Sequence, residues 1–336
     1  MSHVNASVAD RPHPLHTIPG YFATKPGIQI GSQFSAEASD EDLQFARQLG
    51  IEWAMVNVND PDGHTVENYR ALQRRFASHG IQIYRLANHR CHNMTAVTLG
   101  LPERAARIAE YLEYIRNLGE AGIRYATYAH MANGIWSSER EPIRGGAVSR
   151  AFHIDAPHQG HWIGESWEGE LTHGRVYTED ELWDNYAAFI RQVVPVAEDA
   201  GVYIGIHPDD PPVYPLGGIP RTIFGSFEGY RRAIEMADSP NIGMCLCVGC
   251  WLEGGDAMGK DVPETIRYFG GQNKLFKVHL RNVTAPMPEG FAETFLNDGY
   301  MEMQRVIDAL DEVDFDGAII SDHLPQMVGG RLAAEA

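Results

Sequence analysis

The chain has 336 residues, 44% hydrophobic and 21% charged, a composition that folds and buries a sizeable core. With 27 Lys and Arg against 45 Asp and Glu its net charge is −18, which argues against a nucleic-acid surface built on a basic stripe. No apolar run reaches the roughly 18 residues of a membrane span, and four cysteines, Cys91, Cys245, Cys247 and Cys250, are too few for a disulfide framework.

The first 16 residues lack a basic segment followed by an apolar one, so they do not read as a secretory leader. Together with the cysteine usage this points to a reducing cytoplasm. Residues 1–24 are expected as a loosely ordered N-terminal arm and 25–336 as one domain. Short β-branched or aromatic runs bounded by Gly, Asp or Pro predict strands over 27–30, 53–58, 81–86, 124–128, 202–206, 242–247, 275–279 and 317–321. Helical periodicity predicts helices over 40–49, 66–78, 102–121, 179–200, 227–237, 262–269 and 301–310. Glycines at Gly50, Gly80, Gly122 and Gly201 join helix to strand, as a left-handed helix terminator does.

This alternation predicts an α/β fold, a (β/α)₈ TIM barrel, rather than a doubly wound sheet, since no GxGxxG follows the first strand. Residues 131–178 interrupt it as a long polar insertion after the fourth strand, expected to form a lid on the catalytic face. Only 14 residues follow Asp322, so the eighth helix is expected to be missing or minimal. A barrel open on one side favours association with a second copy, a homo-oligomer.

Strand ends carry the candidate chemistry. His207 ends the fifth strand, Cys247 the sixth, His279 the seventh, and Asp322 follows the eighth. Four consecutive strands thus each offer a ligand-type residue at the C-terminal face, where barrel enzymes keep their active sites. Two imidazoles, a thiolate and a carboxylate suit Mn²⁺, Fe²⁺ or Zn²⁺ better than Mg²⁺ or Ca²⁺. Lys277, His279 and Arg281 share one strand face, an unusual pattern unless that face belongs to a site. Cys245-Leu-Cys247-Val-Gly-Cys250 has no second cysteine pair to complete a zinc or iron–sulfur motif. Cys245 reads as a buried small hydrophobe and Cys250 as a loop residue. Asp209 and Asp210 read either as turn-structuring residues or as catalytic carboxylates.

Several stretches resemble the mannonate dehydratases. His207-Pro-Asp-Asp-Pro-Pro212 followed by Gly218-Ile-Pro-Arg221 resembles the family's HPDDPP…GLPR run. Leu246-Cys247-Val-Gly249 resembles its LCTG turn, His279-Leu-Arg281 its HLR, and Asp322-His323 its DH. The resemblance extends over roughly 25–328, including Gly122 to Tyr128, Trp136 and His92. It implies a xylose-isomerase-like barrel and a Mn²⁺ cofactor held by His207, Cys247, His279 and Asp322. It also implies Arg281 as the substrate arginine and His323 as a catalytic histidine.

The family's catalytic tyrosine after the DH pair has no counterpart in 324–336, so the second proton transfer falls to His92, Tyr128 or a metal-bound water. Trp136 is expected to pack against the sugar chain or to form lid core, and Asp209 to bind substrate or structure the loop. The expected reaction is dehydration of a small sugar acid, D-mannonate to 2-keto-3-deoxy-D-gluconate, by C2 proton abstraction and loss of the C3 hydroxyl. The alternatives are a metal-dependent keto-sugar epimerase, isomerase or lyase of the same barrel superfamily, and a non-catalytic sugar-acid binder. A zinc nuclease is disfavoured by the acidic balance.

Overall fold

The computed structural model describes residues 12–330. Its centre is eight strands: β1 (Gln29–Ser35), β2 (Trp53–Asn57), β3 (Gln82–Ala87), β4 (Tyr125–Ala129), β5 (Tyr203–His207), β6 (Ile242–Cys247), β7 (Leu275–His279) and β8 (Ala318–Ile320). They hydrogen-bond in the order β3-β2-β1-β8-β7-β6-β5-β4, every pair parallel. An isolated parallel bridge from Asn93 to Ala129 draws the two edge strands together, so the sheet is a nearly closed barrel. The expected (β/α)₈ architecture is the one formed. β1 runs further than the sequence suggested. Its Gly-Ser-Gln centre has weak strand propensity, but pairing of Gly31 to Ser35 with Trp53 to Asn57 overrides it.

Seven helices wrap the barrel: α1 (Asp40–Gln48), α2 (Val66–Ser78), α3 (Arg104–Ala121), α4 (Glu179–Ala200), α5 (Phe227–Ala237), α6 (Val262–Gly270) and α7 (Met303–Glu312). Capping boxes start α1 at Ser39, α4 at Thr178 and α6 at Asp261, each joining the cap to an acidic residue three positions on. Gly122 and Gly201 end α3 and α4 at φ 81° and 62°, which glycine adopts without a Cβ penalty. After β8 the described residues run through a bridge at Gln326 to Gly330, the last of them, which is helical. Ile30, on the outer face of β1, is left 55% exposed in a groove shared with Ile51, Leu280 and Ile319.

Residues 1–11 of the expected arm lie outside the described residues. Residues 13–23 are not a loose arm. His13–Pro14 pairs with Phe22–Ala23, and Leu15, Ile18 and Tyr21 pack beneath Trp53, Tyr84 and Tyr125 to form the barrel floor. The apolar side chains that a polar-looking segment hides are what dock it.

The insertion is ordered β structure. Gln159–Trp162 pairs with both Ile135–Ser137 and Glu165–Trp167, while Ala151–Phe152 joins Phe291–Thr294 from the loop after β7. Gln326 exchanges two backbone hydrogen bonds with Val148, so the segment after β8 is tied to this cap.

Candidate metal centre

Three of the four expected ligands sit at the ends of adjacent parallel strands. Cys247 is directly opposite His279, and the β5–β6 register, Ile206 opposite Met244, carries His207 to the level of Cys245, two residues before Cys247. Asp322 lies two residues beyond β8 with φ 61°, a left-handed conformation that Asp tolerates better than most residues and that aims its side chain. One ligand atom from each of His207, Cys247, His279 and Asp322 falls within 4.8 Å of the other three. The two imidazole rings are 5.0 Å apart. His207 donates Nδ1–H to the Pro208 carbonyl at 2.7 Å, which fixes the tautomer and leaves Nε2 with its lone pair.

The local fields favour the ionised thiol and carboxyl that a cation requires. Burial acts to lower the His279 pKa, but Asp322 and Cys245 raise it to about 10, so an incoming cation must displace its proton. Burial opposes ionisation of the Cys247 thiol, but Cys250, Arg281 and both histidines hold its pKa well below the usual thiol range. Burial likewise opposes the Asp322 carboxylate, and His279 and His323 hold it well below the carboxylate range. A thiolate, a carboxylate and two convergent imidazoles make a chemically complete donor set.

Beside this set lies a dense ionic cluster. Arg281 donates to Glu253 at 2.6 Å and to Asp210 at 3.0 Å, and lies 3.1 Å from Glu293. Arg150, from the insertion, reaches the same three carboxylates at 2.5 to 3.3 Å. Both arginines, Asp210, Glu253 and Glu293 are all buried. Gly249 is required at this point, because a Cβ there would run into the Arg281 side chain. Burial and Asp210 push Glu253 up to about 8 despite both arginines. Glu293 goes the other way. Burial would raise it, but His323 and Arg281 bring it down to about 2. His323 Nδ1 stands 2.7 Å from Glu293. Burial acts to lower the His323 pKa, and Glu293 and Asp322 together raise it to about 9.

The other expected residues divide. His92 reaches the centre from the β3–β4 seam, its ring 6.4 Å from that of His207 and stacked at 5.2 Å on Trp162 of the insertion. Tyr128 does not reach it. Strand alternation turns Tyr128 outward, where it contacts Phe189 of α4 and Tyr111 of α3 and hydrogen-bonds His130. Trp136 is 1% exposed, its indole N–H bound to Asn133 and its edge against Gly160, so it is a floor for the insertion rather than an open stacking face. Asp209 is buried, 4.0 Å from Arg221, and burial pushes its pKa up to about 6 despite that arginine.

Arg150, Glu253 and Glu293 went unremarked in the sequence because they come from an insertion, a short helix (Val248–Gly254) and a lid strand that share no spacing. Arg85 also went unremarked, although a lone charge inside Ile-Tyr-Arg-Leu-Ala was a legible signal.

The sequence profile of the D-mannonate dehydratase (UxuA) family matches residues 38–334. The chain belongs to this family. The mannonate dehydratase of Streptococcus suis (strain 05ZYH33) is 31% identical over 293 residues, spanning 82% of this chain and 78% of that one. The mannonate dehydratase of Bacillus subtilis (strain 168) is 29% identical over 310 residues, 84% of each chain. A crystal structure of mannonate dehydratase from Streptococcus suis serotype2 superposes with a TM-score of 0.76 at 27% identity, covering 91% of this chain and 87% of that one. A xylose isomerase domain protein from Planctomyces limnophilus shares the fold at 16% identity and a TM-score of 0.58, covering 88% of this chain and 91% of that one. With the family comes the enzyme class, a carbon–oxygen lyase of the hydro-lyase type.

Proposed function

We propose that the chain dehydrates D-mannonate to 2-keto-3-deoxy-D-gluconate, using a divalent ion, Mn²⁺ foremost, held by His207, Cys247, His279 and Asp322. The observation that carries this reading is the convergence of those four ligand atoms within 4.8 Å in a member of the UxuA family. Fe²⁺ and Zn²⁺ suit the same mixed donor set. The bound ion supplies Lewis-acid stabilisation of negative charge developing on the substrate oxygens.

The chain's own groups account for proton handling. The C2 proton must leave to a base, and the C3 hydroxyl must leave with a proton as water. The resulting enol then takes up a proton at C3 to become the 2-keto product. His323, oriented through Nδ1 by Glu293, has Nε2 available for one transfer. His92 stands on the opposite side of the ligand set, against His207, and is the candidate for the other. Arg150 and Arg281 hold the carboxylates around His323 in place. The β cap of the insertion limits water at the mouth. Among the described residues no helix is long and apolar enough to cross a membrane; a cytoplasmic setting belongs to this proposal.

Metal analysis of protein purified without chelator should find close to one divalent ion per chain. Cys247→Ser and His279→Ala should lose the ion together with D-mannonate turnover. Undiminished turnover after exhaustive chelation would sink the proposal, and turnover of a keto-sugar in place of D-mannonate would shift it to an epimerase or isomerase.

A further inference from the structure

The barrel interior holds two buried cationic side chains that the ionic cluster does not explain. Arg85 on β3 is 4% exposed and Lys277 on β7 is fully buried. Strand register places both one layer beneath the ligands. Lys277 is two residues before His279 on the same face and directly opposite Cys245, while Arg85 is directly opposite Met55. Both head groups converge on one atom, the Met55 sulfur, at 2.8 Å from Arg85 Nη1 and 3.9 Å from Lys277 Nζ. Burial lowers the Lys277 pKa, and Cys245 opposite it and Asp322 offset this only in part. Arg85 Nη2 lies 3.1 Å from His92 Nδ1, Arg85 Nε has no hydrogen-bond partner, and Lys277 sits over the Tyr84 ring. No carboxylate of the described residues comes within 4.0 Å of either head group.

A buried cation without an anion is costly, and proteins almost always pair it. This chain does so a few residues away, where Arg150 and Arg281 share three carboxylates. That pairing also disqualifies Arg281 as an open clamp. Both of its terminal nitrogens already face carboxylates, and an incoming carboxylate would meet three of its own sign. The surroundings of Arg85 differ in kind. The buried Tyr84 hydroxyl beside Lys277, and Asn57 Oδ1 one layer above Met55, also lack hydrogen-bond partners. These are donors and an acceptor without internal partners, facing the interior of the barrel.

We propose that Arg85 and Lys277, one layer below the four metal ligands, form the subsite that takes the carboxylate of the substrate, with Tyr84 as a further donor. The inference rests on the sugar-acid reading above, since it assigns that acid's charged end. It also explains why a strand face should carry Lys277 and His279 in succession: one holds the anion and the other the cation beside it. Anchoring the carboxylate leaves C2 and C3, the atoms next to it, at the level of the metal ligands and His323.

The test compares metal-loaded wild type with Arg85→Met, Lys277→Met and Arg85→Lys by calorimetric titration with D-mannonate and with neutral mannitol, and measures metal per chain. Loss of one charge-assisted contact predicts about 30-fold weaker binding of D-mannonate to either Met variant. Metal content and mannitol binding should be unchanged, with partial recovery in Arg85→Lys. Wild-type affinity within threefold in both Met variants overturns the subsite. Should Arg85→Met fail to fold, Lys277→Met alone decides on the same threshold. A wild type that ignores D-mannonate but binds another hydroxy acid through Arg85 overturns the substrate reading and supports the subsite. A wild type that binds no carboxylate overturns both.

Discussion

Two groups of buried cations lie within one barrel and are treated in opposite ways. At the mouth, Arg150 and Arg281 are surrounded by Asp210, Glu253 and Glu293. One layer down, Arg85 and Lys277 share a methionine sulfur. The first group carries its own counter-charges, although Glu253 Oε2 and Arg281 Nε keep no hydrogen-bond partner, and its work is to hold the frame around His323. The second group is open, which is how a site waiting for an anion differs from a structural ion pair. Burial alone would not have told them apart, because both are almost wholly removed from solvent.

The comparison can be broken most severely at Asp210. It meets both arginines, one through each oxygen, whereas Glu253 and Glu293 each meet both through a single oxygen. Asp210→Ala removes one buried partner from each guanidinium and should cost about 3–5 kcal/mol in denaturant unfolding. A loss under 1 kcal/mol would mean that the first group does not rely on its own counter-charges.

Glu253 gives the comparison a pH axis. Three carboxylates face two guanidiniums, and Glu253 is the surplus one, with its pKa raised to about 8 from an ordinary 4.5. The folded protein therefore holds a proton that the unfolded chain releases. The associated stability is fully present below about pH 4.5 and is lost as pH rises through 8. Glu253→Gln, a permanent mimic of the protonated acid, should match wild type near pH 4.5. At pH 8.5 it should exceed it by several kcal/mol, on the order of 4. Parallel stability curves across that window would show that Glu253 is ionised throughout.

A smaller effect is expected from Gly249→Ala, whose methyl displaces Arg281 and should cost about 1–3 kcal/mol by overpacking. The smallest effect has the opposite sign. Lys277→Met removes an uncompensated polar head from the interior, so the ligand-free protein should be unchanged or up to about 1 kcal/mol more stable in thermal or denaturant melts. A marked loss would place Lys277 among the structural pairs and dissolve the contrast.

What could be read in advance follows the same division. The convergence of His207, Cys247, His279 and Asp322 was legible because each ends or follows a strand, and the parallel sheet turns that local position into a shared one. The barrel was legible from its helix–Gly–strand joints. The ionic cluster was not, because Asp210, Arg150, Glu253, Arg281 and Glu293 come from five separate segments with no spacing in common. Tyr128 was misplaced by one step of strand phase. Its neighbours Thr127 and Ala129 face the interior, and Tyr128 therefore cannot. The floor hairpin was hidden by its own polarity, since only four apolar side chains within 13–23, Leu15, Ile18, Tyr21 and Ala23, dock it.

The barrel closes through Ala318 and Ile319 against Gln29 and Ile30, at opposite ends of the chain. During synthesis the first strand must therefore wait for nearly the whole protein before gaining its second neighbour, and the ordering of so long a loop is slow. Asp322 emerges just after that last strand, and Gln326 ties the insertion only after that. A nascent chain thus carries His207, Cys247 and His279 well before Asp322, which takes its place beside them only as the barrel shuts.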